Sequence, residues 1–147
     1  NLPKPRTRTV TPTTSAAQRK LAAILLRAVG DLVWLDAEDL LNAVTAVSGS
    51  GPAYLFLLAE ALAAAAERQG LSPDVAKKLA RKTIEGAAAL LAESAMDPGE
   101  LRRSVTSPGG TTEAALTVLM SDSRFEGLLA EAVAAATTRG FTLAKTR

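Results

Sequence analysis

The stretch from Ser104 to Leu116, SVTSPGGTTEAAL, sets Pro108, Gly109 and Gly110 among the hydroxyls of Thr106, Ser107, Thr111 and Thr112, directly ahead of a helical pattern. A plain connection between helices needs one glycine and one capping side chain, so this stretch carries a surplus. The start of a helix offers unpaired N–H groups and about half a positive charge, which suits a carboxylate or a phosphate. Glycines let an anion reach the backbone with no Cβ in the way, and Ser107, Thr111 and Thr112 add uncharged donors. Two readings follow: an anion site at SPGGTT, or an ordinary Ser-Pro helix start beside a flexible glycine turn. The loop alone leaves both open.

A second glycine cluster, SGSGP from Ser48 to Pro52, reads either as a kink in a long helix or as a surface that a flat ligand can approach closely. It is no dinucleotide loop in its own right, because the spacing GxGxxG is missing and no strand leads into it. The carboxylate pairs Glu38 with Asp39 and Glu93 with Asp97 fall at capping or solvent-facing positions and carry no acid–base reading. With no histidine and no cysteine, the chain holds no Ser-His triad, no imidazole base, no histidine zinc site and no disulfide. No metal is expected.

The elements that must position these loops are helical. Of the 147 residues 48% are hydrophobic but only 3% aromatic, so alanine, leucine and valine build the interior and helices can approach closely. The net charge of +2 is spread along the chain without a basic stripe, which argues against a nucleic-acid partner. The apolar run from Ala53 to Ala66 contains Glu60 and is too short to cross a bilayer, so no membrane partner is expected and the compartment defaults to the cytoplasm.

Residues 1–14, with three prolines, three cations and no acid, read as an extended leader or linker, and residues 15–147 as one helical domain. Thr14 or Ser15 caps a first helix that Gly30 closes. DLVWLD alternates Val33 and Leu35 against Trp34, which predicts a short orphan strand near residues 32–35. Asp36 is expected to cap a helix running into SGSGP, and a further helix resumes at Ala53 and ends at Gly70. Ser72-Pro73-Asp74 and Asp97-Pro98 with Glu100 are two more starts, and helices are expected near Thr112 to Met120 and Arg124 to Lys145. The fold class is all-α.

Taken together, NAVTAVSGSGPAYLFLLAEALAAAAERQGL and DPGELRRSVTSPGGTTEAAL resemble the carboxy-terminal domain of pyrroline-5-carboxylate reductases, from about Leu21 to Arg139. The resemblance implies an intertwined helical dimerisation domain and NADPH- or NADH-dependent reduction of pyrroline-5-carboxylate to L-proline. It implies a substrate site at Ser107, Gly109, Gly110, Thr111 and Thr112, with the carboxylate on the Gly110 and Thr111 amides and the Ser107 and Thr112 hydroxyls. Val105 would line that pocket, and Thr112, near the ring nitrogen, would be the catalytic residue. Thr45, Ser48, Gly49 and Ser50 would lie near the nicotinamide end of the cofactor. The family's Rossmann domain has no counterpart in these residues, and a strand at DLVWL would join the sheet of that domain. Met96-Asp97 stands where many members carry an acidic residue and histidine. The implied assembly is a homodimer or larger; the rival reading is a stand-alone, non-catalytic oligomerisation or ligand-binding module.

Overall fold

Short-range signals set the helix ends. The computed structural model describes residues 15–28, Gly30 and 32–145, so the leader expected at residues 1–14 lies outside the described residues. Helix α1 (Ala16–Arg27) opens on a reciprocal cap, in which the Gln18 amide donates to Ser15 Oγ at 3.3 Å and the Ser15 amide to Gln18 Oε1 at 2.9 Å. The expected strand does not form: Leu32 makes an isolated bridge, Val33, Trp34 and Leu35 have no regular structure, and the described residues contain no strand. A strand needs a neighbour to take its backbone groups. Here Trp34 instead lies under the guanidinium of Arg19, 5.4 Å from ring centroid to Cζ.

Helix α2 (Leu40–Val44) starts later than Asp36 predicts, because Glu38 and Asp39 form a turn and Asp39 occupies the capping position. The chain then widens into a π turn, Thr45–Gly49, closed by the Ser50 amide donating to the Thr45 carbonyl at 2.9 Å. The SGSGP cluster therefore widens the helix instead of breaking it, and α3 (Gly51–Arg68) follows directly. Pro52 is the second residue of α3, directly after the π turn. The run Leu40–Arg68 spans 29 residues and is, among the described residues, one helix long and apolar enough to cross a membrane by length and composition. The shorter segment Ala53 to Ala66 read from sequence missed this, because it stopped at the glycines.

Helix α4 (Pro73–Glu93) begins at the Ser72-Pro73 signal, and α5 (Pro98–Ser104) at Asp97, whose amide donates to Glu100 Oε2 at 3.1 Å. On α4, Glu85 pairs with Arg81 at 3.0 Å and with Lys82 at 2.5 Å. Hydrogen bonds from Lys82 first and Arg81 second hold its carboxyl below the usual value. The small stabilisation this gives is present above the unfolded carboxyl value and fades as pH falls through the lowered one. Helix α6 (Thr111–Met120) and α7 (Arg124–Lys145) flank the turn Ser121–Ser123, where Asp122 and Ser123 take φ of 52° and 53°.

The chain divides into two compact units, one from Asn1–Pro52 with Leu129–Arg147 and one from Ala53–Leu128. Within the first, α7 meets α2 closely at Gly140, where a Cβ would stand 2.5 Å from Asn42 Oδ1 and 3.3 Å from Asn42 Cβ. Valine at this position must push Asn42 aside. We expect Gly140→Val to lower stability by about 1–3 kcal/mol, read as a shifted denaturation midpoint at unchanged slope; a midpoint equal to wild type would refute the contact.

What the helices bury within one chain is little. The fully buried hydrophobic residues among those described are Ala46, Ala63, Ala76 and Ala80, while Leu55, Phe56, Leu57 and Leu58 are 50%, 66%, 64% and 39% exposed. Four consecutive helical positions sweep about 300° of the helix circumference, so α3 is apolar nearly all round. Such a helix belongs inside a core, and one chain does not supply that core.

Candidate functional site

The Gly-Gly loop is built by two different turns meeting at Ser107. Helix α5 is closed by Thr106, whose amide donates to the Arg103 carbonyl at 3.1 Å and whose hydroxyl donates to the Arg102 carbonyl at 2.7 Å. Thr106, one of the four hydroxyls that mark the loop in the sequence, is thus engaged in ending a helix. Ser104 and Thr117 are used in the same way, on the carbonyls of Leu101 and Glu113 at 2.8 and 2.9 Å.

From Ser107 to Gly110 the chain makes a reverse turn, with the Gly110 amide donating to the Ser107 carbonyl at 3.0 Å. Pro108 presets φ at the second position, and Gly109 takes φ of 70° at the third, the left-handed conformation that a type II turn requires there. Gly110 is small for a second reason: a Cβ on it would stand 3.0 Å from the Ser107 carbonyl oxygen. Each glycine of the pair answers a separate constraint.

Gly110 is also the residue that caps α6, and it has no side chain to offer the first amides of the helix. Among the described residues no acceptor meets the backbone N–H of Thr111 or Thr112, and no partner meets the hydroxyls of Ser107, Thr111 or Thr112. Thr111 and Ser107 are exposed and Thr112 half-buried. The result is a patch of five donors around the positive end of a helix. The Gly110 amide, which the family resemblance places on a ligand carboxylate, is committed to the turn, and the Gly109 amide donates to Glu113 Oε2 at 2.7 Å. Glu113 escaped the sequence reading, although its place three residues after a glycine cap was a usable signal.

Val105 lines an apolar cleft of about 380 Å³ together with Leu90, Leu91, Pro98, Leu101 and Arg102. The Arg102 guanidinium reaches on to Met120 Sδ at 2.7 Å. Asp97, at the position of the family's altered pair, caps α5. The described residues contain no group of three or more acidic side chains, histidines or cysteines placed to hold a metal ion.

The second cluster differs in kind. The Thr45 hydroxyl donates to the Leu41 carbonyl at 2.8 Å, so it faces a ligand as an acceptor only, and Ser48 already has an interaction of its own. A Cβ at Gly51 would meet nothing within 4 Å, and one at Gly49 would make an ordinary 3.4 Å contact with Thr45 Cγ2. Packing within the chain does not require these glycines, although each weakens a helix by about 0.5–1 kcal/mol relative to alanine. Gly49 is exposed, and Ser48, Ser50 and Gly51 are half-buried.

The pyrroline-5-carboxylate reductase dimerisation family matches residues 38–143. The chain is 50% identical over 131 residues to the pyrroline-5-carboxylate reductase of Pseudomonas aeruginosa, across 89% of this chain and 48% of that protein. Among solved structures, the pyrroline-5-carboxylate reductase of Coxiella burnetii superposes with a TM-score of 0.84 at 40% identity, over 97% of this chain and 54% of that one. The Plasmodium falciparum pyrroline carboxylate reductase, solved with NADP bound, gives a TM-score of 0.70 at 28% identity, over 89% of this chain and 51% of that one. The chain spans about half the length of the curated relatives it matches.

Proposed function

The chain belongs to the pyrroline-5-carboxylate reductase dimerisation family, and on that premise we propose that it is the substrate-binding and dimerisation part of a pyrroline-5-carboxylate reductase. The observation that carries the site is the set of donors at the start of α6 that nothing in the described chain uses: the Thr111 and Thr112 amides and the Ser107, Thr111 and Thr112 hydroxyls. The ligand they suit is a small carboxylate.

In this reading the substrate carboxylate lies on the Thr111 and Thr112 amides and the Ser107 hydroxyl, with Gly109 and Gly110 shaping the approach. The Thr112 hydroxyl stands beside the ring nitrogen, and Val105 lines the apolar side of the ring. NADPH or NADH, when bound, supplies the hydride that turns the imine into L-proline. Thr45, Ser48, Gly49 and Ser50 would hold its nicotinamide end, at the π turn. The chain's own contribution is orientation and a preorganised anion hole, which accelerate by fixing reactants where they react.

Two further parts belong to the proposal. A homodimer, or a larger homo-oligomer, covers the exposed leucines of α3, and a Rossmann domain joined through residues 1–14 carries most of the cofactor. The setting is proline biosynthesis in the cytoplasm. The test is a steady-state assay with NADPH and pyrroline-5-carboxylate on this chain alone and on the polypeptide that joins it to a dinucleotide-binding domain. We expect turnover of about 1–1000 per second from the joined protein and none from the chain alone. A joined protein that is inactive but still oligomeric would favour the rival, a binding or oligomerisation module without catalysis.

A further inference from the structure

Glu113 places a negative charge at the positive end of α6, on the very loop assigned to an anionic substrate. Its carboxylate does not bond the amide of the capping residue, as a glutamate three places into a helix ordinarily does. It reaches one residue further and accepts the Gly109 N–H at 2.7 Å. Gly109 is the residue held at φ of 70°, and glycine is the residue with the most conformational freedom to lose. The turn has one internal hydrogen bond, from the Gly110 amide to the Ser107 carbonyl at 3.0 Å. Glu113 supplies a second tie, from the helix back onto the turn.

We propose that Glu113 is a positioning residue: by accepting the Gly109 amide it pins the Pro108-Gly109 turn to the first turn of α6 and leaves the Thr111 and Thr112 amides as the pair that meets a carboxylate. The proposal rests on the reading of the loop as a substrate cradle. The hydrogen bond is the working feature, and the charge beside an anion site is tolerated as its consequence. An uncharged acceptor of the same length must therefore serve as well, whereas a methyl group cannot.

The test uses this chain and L-proline as the probe, with Glu113→Gln and Glu113→Ala. Glu113 is exposed, and circular dichroism checks that each variant keeps its helices. Hydrogen exchange reads the Gly109 amide, and calorimetric titration reads L-proline affinity. We expect Gly109 to be protected in the wild type and in Glu113→Gln and unprotected in Glu113→Ala. L-Proline should bind Glu113→Ala about five- to tenfold more weakly, the scale of one ordinary hydrogen bond that acts on the ligand only through the turn, with the affinity rescued by Glu113→Gln. Wild-type affinity in Glu113→Ala overturns the proposal. So does a Glu113→Gln as weak as the alanine variant, since the charge would then act on the ligand directly. A wild type that binds no L-proline overturns the substrate reading of the loop, while the exchange pattern still decides whether Glu113 holds the turn.

Discussion

Thr112→Val, introduced into a polypeptide that joins this domain to a dinucleotide-binding domain, is expected to lower kcat/KM for pyrroline-5-carboxylate by about ten- to a hundredfold and to leave the melting temperature nearly unchanged. Valine keeps the shape of threonine and removes one donor. A hydrogen bond missing from a charged or developing-charge group costs about 1.5–3 kcal/mol, which is the rate effect stated. The stability half of the expectation comes from the local geometry. Thr112 is the second residue of α6, and its hydroxyl has no partner among the described residues. It caps nothing, so its removal strands no backbone group. Thr106 is the natural contrast. Its hydroxyl is bonded to the Arg102 carbonyl at 2.7 Å, and Thr106→Val should trade the pattern round, with a stability loss of about 1 kcal/mol and kinetics close to wild type. Unimpaired kinetics in Thr112→Val, with a lowered melting temperature, would make the loop a helix start and nothing more.

Phe56→Glu abolishes the oligomer and with it the cooperative fold. Phe56 is 66% exposed in the single chain and lies between Leu55 and Leu57 on a helix that is apolar nearly all round. The buried hydrophobic residues of the described chain are alanines. At about 25 cal/mol per Å² of apolar area removed from water, four small side chains cannot offset the conformational entropy of a domain this size. The stability must come from surfaces that one chain leaves bare, so folding and association are one process. Burying an unpaired carboxylate in that shared core costs several kcal/mol, comparable to the whole stability of an ordinary domain. The wild type should sediment as a dimer or larger and melt at a temperature that rises with protein concentration. Phe56→Glu should sediment as a monomer with a broad, non-cooperative melt. A variant that stays dimeric, or a wild type that melts independently of concentration, would remove α3 from the interface.

Several helix starts were legible in the sequence because each depends on residues at most three apart. Ser15, Ser72 with Pro73, and Asp97 with Glu100 all form starts, whereas Asp36 does not. The reverse turn at Pro108-Gly109 is legible for the same reason, since proline and a following glycine encode a type II turn by themselves. The turn chemistry of SPGGTT was thus legible, while the choice between an anion site and an ordinary helix start was not contained in the loop alone. Its membership of the dimerisation family was legible too, because the two glycine clusters occur together in one chain.

Tertiary structure decided what each group does once its neighbours arrive. Alternation over DLVWL encodes an extended segment, but a strand exists only where another strand takes its amides; here Trp34 goes to Arg19 instead. The glycines and proline of SGSGP encode weakness in a helix, and whether weakness becomes a break or a π turn depends on whether the Ser50 amide finds the Thr45 carbonyl, as it does at 2.9 Å. Of the hydroxyls around Gly109-Gly110, the composition makes all four equivalent. Only the positions of the α5 end and the α6 start assign Thr106 to a carbonyl and leave Ser107, Thr111 and Thr112 outward. Apolar periodicity, finally, records that a face must be covered and carries no information about which surface covers it. Hydrophobic burial is non-directional, so the identity of the covering surface is settled by shape, in three dimensions.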